Sequence, residues 1–170
     1  REAERTGVDA ILLVVPYYNK PTQEGLFQHF KAIASSTSLP CILYNVPSRT
    51  VTSTTAETVI RLSQIDNIVG IKEASGNLEQ VARIIDGVDE DFLVYSGNDS
   101  DTLPILALGG YGVISVASHL VGAQIAKMID ESVAGNTRGA AEIHRHLLPL
   151  IKALFIVSNP IPLKCALNQI

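Results

Sequence analysis

The feature that most constrains this chain is an alternation. Short, almost wholly apolar β-rich runs are separated by longer segments whose apolar residues recur at helical spacing. Five such runs, residues 10–15, 41–45, 68–72, 92–96 and 112–116, are bounded by turn residues. A strand that is apolar on both faces is buried on both faces, as in parallel sheets covered by helices. The intervening segments supply the helices. Leu26, Phe27, Phe30, Ile33 and Ala34 form one stripe, Val59 and Ile60 follow a capping-box signature at Thr54-Thr55-Ala56-Glu57, and Leu78, Val81, Ala82 and Ile85 follow Asn77. Two helices come after the last run. Val121, Ile125, Met128 and Ile129 mark the first, which Gly135 closes, and Ile143, Leu147, Leu148, Ile151 and Leu154 mark the second.

Repeated βα units joined by right-handed crossovers form an α/β fold, either an open doubly wound sheet or a closed (β/α)8 barrel. Two features favour the barrel. The glycine-rich stretch Gly109-Gly110-Tyr111-Gly112 precedes a strand, whereas dinucleotide and phosphate loops follow one and open a helix. Polar and aromatic residues also collect just after the strands: Tyr17, Tyr18 and Asn19, then Tyr44, Asn45 and Arg49, then Lys72, Glu73 and Ser75, then Ser96, Asn98 and Asp99, and finally Ser115 and Ser118. Barrel enzymes keep their active sites at that end. Five units cannot close an eight-stranded barrel, so the remaining three are expected before Arg1 or from a partner. The ends agree with a piece of a longer chain. Residues 1–7 read as the last turns of a helix closed by Gly7, and residues 162–167 as the opening of another.

Composition narrows the function classes. With 46% hydrophobic residues in 170, the chain can bury the core of one domain. Its 17 acidic against 13 basic residues leave a net charge of −4, which gives no basic footprint for nucleic acid or an anionic membrane. A small anionic substrate would need a local basic site. The longest apolar runs fall well short of the ~20 residues of a membrane span, so a soluble chain is expected. Cys41 and Cys165 lack CxxC spacing and are expected to be buried, reduced thiols of a cytoplasmic protein.

Among the polar residues, Lys72 ends an apolar run. Desolvation there lowers an amine's pKa and frees the neutral nucleophile for attack on a carbonyl. Strict alternation puts Ile68, Gly70 and Lys72 on one face, with Gly70 leaving space beneath the amine for a small ligand. Position alone favours an ordinary lysine that snorkels to solvent. Tyr44 ends the preceding run, where its phenol could relay protons or simply satisfy a backbone group. Arg49 could fork a substrate carboxylate or form a surface ion pair. Tyr17 and Tyr18 line the rim or reach a neighbouring subunit. His144 and His146, two apart on a helix, cannot share a metal and read as solvated, while His29 and His119 lack ligand spacing. Ser96-Gly97-Asn98 is no nucleophile elbow, and the acidic turn of Asp86, Asp89, Glu90 and Asp91 is no EF-hand loop.

Taken in order, three segments carry a resemblance: Pro16-Tyr17-Tyr18-Asn19-Lys20-Pro21-Thr22-Gln23-Glu24-Gly25, Leu43-Tyr44-Asn45-Val46-Pro47-Ser48-Arg49-Thr50 and Gly70-Ile71-Lys72-Glu73-Ala74-Ser75-Gly76-Asn77. Ser96-Gly97-Asn98-Asp99, residues 108–115 and Asn159-Pro160-Ile161-Pro162 extend it over nearly the whole chain. The chain resembles the dihydrodipicolinate synthase family of class I pyruvate-dependent aldolases. The resemblance implies a barrel followed by a small helical domain, with residues 1–135 in the C-terminal part of the barrel and 136–170 forming its last helix and the start of that domain.

It also implies a cofactor-free lyase in which Lys72 forms a Schiff base with pyruvate and the enamine adds to aspartate semialdehyde, toward lysine and diaminopimelate. Tyr44 would relay protons beside the imine, and Arg49 would hold the semialdehyde carboxylate. Tyr18 would cross a tight dimer interface, within a dimer of dimers, to complete a neighbour's relay, with Tyr17 beside it. Gly97 and Ile114 would lie near bound pyruvate. No metal is implied.

Two alternatives stay open: a sialic-acid lyase or other 2-keto-acid aldolase of the same superfamily, against which Arg49 argues, and a catalytically inactive barrel piece with a structural role. The family's glycine-threonine-threonine-glycine-glutamate motif, which supplies the pyruvate carboxylate site and the relay threonine, has no counterpart in these residues. The 170 residues by themselves are therefore expected to be inactive or poorly folded.

Overall fold

The structure, a computed structural model, describes residues 2–170; Arg1, the first residue of the N-terminal helix read from the sequence, lies outside them. Along the chain run α1 (Glu2–Thr6), β1 (Ile11–Val14), α2 (Gln23–Ala34), β2 (Cys41–Asn45), α3 (Pro47–Thr50), α4 (Ala56–Ser63), β3 (Ile68–Glu73), α5 (Leu78–Gly87), β4 (Leu93–Ser96), α6 (Thr102–Ala107), β5 (Gly112–Val113), α7 (Ser118–Val133), α8 (Thr137–Ala153) and α9 (Ile161–Leu167). Each apolar run contributes a strand, although the first, fourth and last are shorter than the runs that hold them and the third extends one residue further. All neighbours pair in parallel, in the order β1-β2-β3-β4-β5.

That order decides between the two folds left by the sequence. A doubly wound sheet reverses its strand order at a switch point, whereas strands added one after another, each by a right-handed crossover, place every helix on the same side and make an arc of a barrel. Here one core lies on that side. Val15, Cys41, Leu43, Ile68, Ile71 and Val94 of the sheet region pack with Leu26, Phe30 and Ala34 of α2, Ala56, Val59 and Leu62 of α4, Val81 and Ile84 of α5, and Ile105 of α6. A second cluster joins Ile125 of α7, Leu147 and Ile151 of α8, Leu154 directly after α8, and Leu163 of α9, beside Ala117.

Strict alternation fails in β3. Cys41 pairs with Ile68 and Ile42 with Gly70, which leaves Val69 as an extra residue. A bulge of this kind turns the following side chains over relative to those before it. Ile68 therefore joins Ile71 in the helix-side core, while Gly70 and Lys72 face the other way. Nor does Gly70 leave space for a ligand. A Cβ there would come within 2.4 Å of the Leu93 carbonyl oxygen, so the glycine lets β4 approach. Gly70→Ala in the full-length protein should cost about 1–3 kcal/mol, the usual range for forcing an extra carbon into a packed interior, read as a lower denaturant midpoint with unchanged slope.

Other local expectations shift as well. The N-cap of α4 is Thr55, whose hydroxyl accepts from the Thr58 amide, and not Thr54, so the box with Glu57 is out of register. Thr54 is buried and gives its amide to Asn45. The short helices α3 and α6 were not anticipated, because four and six residues are too few to show a period. Cys41 is buried as expected, but Cys165 is exposed. His144 is partly buried and its Nδ1 has no hydrogen-bond partner among the described residues, whereas His146 is exposed. Among the described residues, no helix is long and apolar enough to cross a membrane.

Candidate active site

The carboxyl ends of the strands set the site's geometry. Tyr44, Lys72 and Tyr95 are register partners across β2, β3 and β4, so the three side chains leave the sheet in one row on the face away from the helix-side core. The ladder continues past the strand ends, where the Ala74 amide donates to Asn45 O at 2.8 Å and the Gly97 amide to Glu73 O at 2.7 Å. The backbone carrying this row is therefore held on both sides.

Lys72 lies with its Nζ 4.3 Å from the centroid of the Tyr44 ring. Burial holds its amine below the ordinary lysine range; Asp99 pulls it back up, and Arg49 pushes it further down. Burial raises the Tyr44 phenol, and the Arg49 charge works against that rise. The arrangement thus sets an amine biased toward its neutral, nucleophilic form beside a phenol that keeps its proton at neutral pH.

The glycine that makes room for this lysine sits one strand over. A Cβ on Gly97 would stand 2.7 Å from Ala74 Cβ, 3.1 Å from Glu73 O and 3.2 Å from Lys72 Cγ. Tyr44, Lys72, Arg49 and Gly97 line one cavity of about 390 Å³ with Val46, Ser48, Asn98, Val116, Phe155 and Asn159. Arg49 is brought to its mouth by α3. Pro47 starts that helix with a preset φ, and Val51 closes it in the left-handed region at φ 60. Arg49 donates to the Asn159 carbonyl at 3.2 Å and forms no ion pair among the described residues, so its fork remains free for an anion.

Not every residue singled out in the sequence meets here. Tyr17 and Tyr18 stand exposed on the loop after β1, at 67% and 86%, and do not line the cavity. Ile114 also lies outside its lining, and Val116 takes a place there. Phe155 and Asn159 were missed as site residues. Asn159 belongs to a quoted motif, but only the return of the chain after α8 brings it to Arg49.

By sequence, Asp99 has a place near a strand end and in the Ser96-Gly97-Asn98-Asp99 motif, but no role. Its buried carboxylate accepts the Ser115 hydroxyl and the Val116 and Ala117 amides, the latter two at 3.1 Å each, which ties the loop after β4 to the loop after β5. Asp99 and Arg49 act on the Lys72 amine with opposite sign. Asp99→Asn removes the charge that favours the ammonium, so the titration midpoint of Lys72 should fall. Arg49→Gln removes the charge that opposes it, so the midpoint should rise. Lysine side-chain NMR on the full-length protein reads both shifts.

Comparison with known proteins agrees with this geometry. The model of the dihydrodipicolinate synthetase family matches residues 1–170. The chain is 70% identical over 169 residues to 4-hydroxy-tetrahydrodipicolinate synthase of Dehalococcoides mccartyi, covering 99% of this chain and 57% of that protein. It is 58% identical over 169 residues to the enzyme of that name from Bacillus subtilis, covering 99% and 58%. Among solved structures, the dihydrodipicolinate synthase of Cyanidioschyzon merolae with lysine bound superposes with a TM-score of 0.97 at 51% identity, over 99% of this chain and 57% of that one. The Thermotoga maritima dihydrodipicolinate synthase gives 0.96 at 46% identity, over 99% and 58%. The chain thus spans a little over half the length of the relatives it matches.

Proposed function

The chain belongs to the dihydrodipicolinate synthetase family, and from that premise we propose that the full-length protein is a Schiff-base-forming lyase that condenses pyruvate with L-aspartate 4-semialdehyde to 4-hydroxy-tetrahydrodipicolinate. The observation that carries the proposal is the half-buried Lys72 amine against the Tyr44 ring in a cavity open to Arg49. These residues lie on five βα units of a (β/α)8 barrel.

The chemistry follows from the geometry. The neutral amine adds to the keto carbon of pyruvate, and the carbinolamine loses water to give the imine. Loss of a methyl proton gives the enamine, whose carbon attacks the aldehyde of the second substrate and re-forms the imine; the amine of that substrate then adds to the imine carbon, closes the ring and releases Lys72. Tyr44, a phenol protonated at neutral pH, can hand that proton to the departing hydroxyl and take one back. The free fork of Arg49 pairs with the carboxylate of the semialdehyde, and Gly97 keeps the floor beside Lys72 clear. We assign Ile114 to the wall near pyruvate on the resemblance alone, since it stands outside the cavity lining. No metal or organic cofactor takes part in this scheme.

We read exposed Tyr17 and Tyr18 as surface that packs on a second copy of the chain, with Tyr18 completing the neighbour's relay in a homo-oligomer. Two free cysteines are in keeping with a cytoplasmic enzyme. Residues 1–135 are read as barrel, and 136–170 as its last helix and the start of a helical domain. Within these residues no threonine motif supplies the pyruvate carboxylate site, so we assign activity to the full-length protein.

Borohydride reduction of the full-length protein with pyruvate tests the proposal. A reduced adduct on Lys72 is expected. An active enzyme whose adduct maps to another residue would sink it. Condensation with aspartate semialdehyde, compared with cleavage of sialic and other sugar keto acids, fixes the aldehyde class.

A further inference from the structure

On the opposite face of the sheet from Tyr44 and Lys72, one residue further along each strand, stands a second register pair, Asn45 and Glu73. Both are buried, at 0% and 1% exposure. Asn45 Nδ2 donates to both Glu73 carboxylate oxygens, at 3.2 and 3.0 Å. The same carboxylate accepts the Ser75 amide at 2.7 Å and Gln80 Nε2 at 3.1 Å, while Asn45 Oδ1 accepts the Thr54 amide at 3.2 Å. Every partner of Glu73 is a donor, and together they tie the end of β3 to the first turn of α5 and, through Asn45, to the loop before α4.

The geometry points to Asn45 and Glu73 as positioning residues that hold Tyr44 and Lys72 in register from behind the sheet. Adjacent residues of a strand share one rigid backbone and point to opposite faces. A slip or twist at the Asn45–Glu73 pair therefore moves the Tyr44–Lys72 pair by a similar amount. An apolar pair in their place would fill the volume, but hydrophobic contact is non-directional and does not fix register, whereas bonds with defined donors and acceptors do. Catalytic geometry is sensitive at this scale, since a displacement of about 1 Å can cost on the order of 100-fold in rate. The inference rests on Lys72 forming the Schiff base.

The test compares Glu73→Gln, Asn45→Asp and the exchange Asn45→Asp/Glu73→Gln in the full-length protein. The readouts are the rate of borohydride-trappable imine formation with pyruvate per folded molecule and the melting temperature. Each single change places like groups opposite one another, donor against donor or acceptor against acceptor. Each is expected to slow imine formation on the order of 10- to 100-fold. The exchange restores one donor facing one acceptor, with polarity reversed, and the Gln80 amide, which donates to Glu73 Oε2, can turn to present its oxygen instead; the rate is expected to recover to within a few-fold.

A merely structural pair would lower the melting temperature and leave the imine rate per folded molecule unmoved; that result overturns the inference, as does an exchange variant no faster than the singles. Should Glu73→Gln fail to fold, Asn45→Asp against the exchange makes the same comparison. If the unaltered protein gives no adduct on Lys72, the Schiff-base reading itself has failed. If it gives one and the variants match its rate, only the positioning role is lost.

Discussion

Lys72→Met in the full-length protein should lower condensation by roughly 10³- to 10⁶-fold, the span seen when a covalent nucleophile is removed, and should leave no borohydride-trappable adduct with pyruvate. Methionine has the length to fill the half-buried channel against Tyr44 and no amine to offer. Folding should therefore survive, which circular dichroism would establish. The informative companion is Lys72→Arg. It keeps a cation in place, but a guanidinium stays protonated at any working pH and cannot serve as a neutral nucleophile. If Lys72 worked only as a fixed positive charge, arginine would rescue activity; as a nucleophile it should not.

The pH dependence has a definite sign. In the proposed scheme the reactive form is the neutral amine, whose fraction rises as pH climbs through the pKa. Because burial lowers that pKa, the rise in imine formation should come at lower pH than an unperturbed lysine would give. A midpoint in the ordinary lysine range would contradict the desolvated setting.

Tyr44→Phe carries the second large effect. The ring remains beside Lys72, so the packing and the cation–π contact persist. Only the hydroxyl is lost, and with it the phenol proton, which a tyrosine holds at neutral pH and which burial makes harder still to lose. The expected loss is about 10²- to 10⁴-fold in kcat, the usual worth of a positioned general acid–base group, with the KM for pyruvate little changed. Tyr44→Leu should differ in kind. It also removes the ring face that favours the ammonium, and the Lys72 midpoint should fall below its place in Tyr44→Phe. Steady-state kinetics with lysine NMR separate the two roles; equal midpoints in the two variants would show that the ring has no hold on the amine.

Much of the fold and part of the site were legible without coordinates. Buried parallel strands leave near-continuous apolar runs and helices leave stripes, because both signals arise from neighbours within a few residues. The strand-end location of Lys72 and Tyr44, and that of Arg49 in the segment after β2, followed from the same local reading, and their motifs suggested the roles proposed for them. The departures have a common physical origin. The bulge at Val69 follows from how two strands pair, so alternation along one strand could not show it. The need for glycine at positions 70 and 97 comes first from the Leu93 carbonyl and from Ala74 Cβ, each 23 residues away in sequence by their numbering, with the Lys72 stem also close to position 97. Thr55 rather than Thr54 caps α4, and Thr54 is instead buried with its amide given to Asn45 of β2, a contact across the fold that local spacing does not show.

By itself, then, the sequence determined the α/β class, the places of the strands and the longer helices, and the row of chemically capable residues at one end of the strands, since each is written in local spacing. Only the tertiary structure decided that the strands add in sequence order as a barrel arc, that Gly97 and not Gly70 makes room for Lys72, that Asn159 meets Arg49, and that Asn45 and Glu73 grip each other behind the Tyr44–Lys72 pair. Each of these is a contact between backbones or side chains far apart in the chain. No periodicity encodes such a contact, and its energy exists only once the strands have closed on one another.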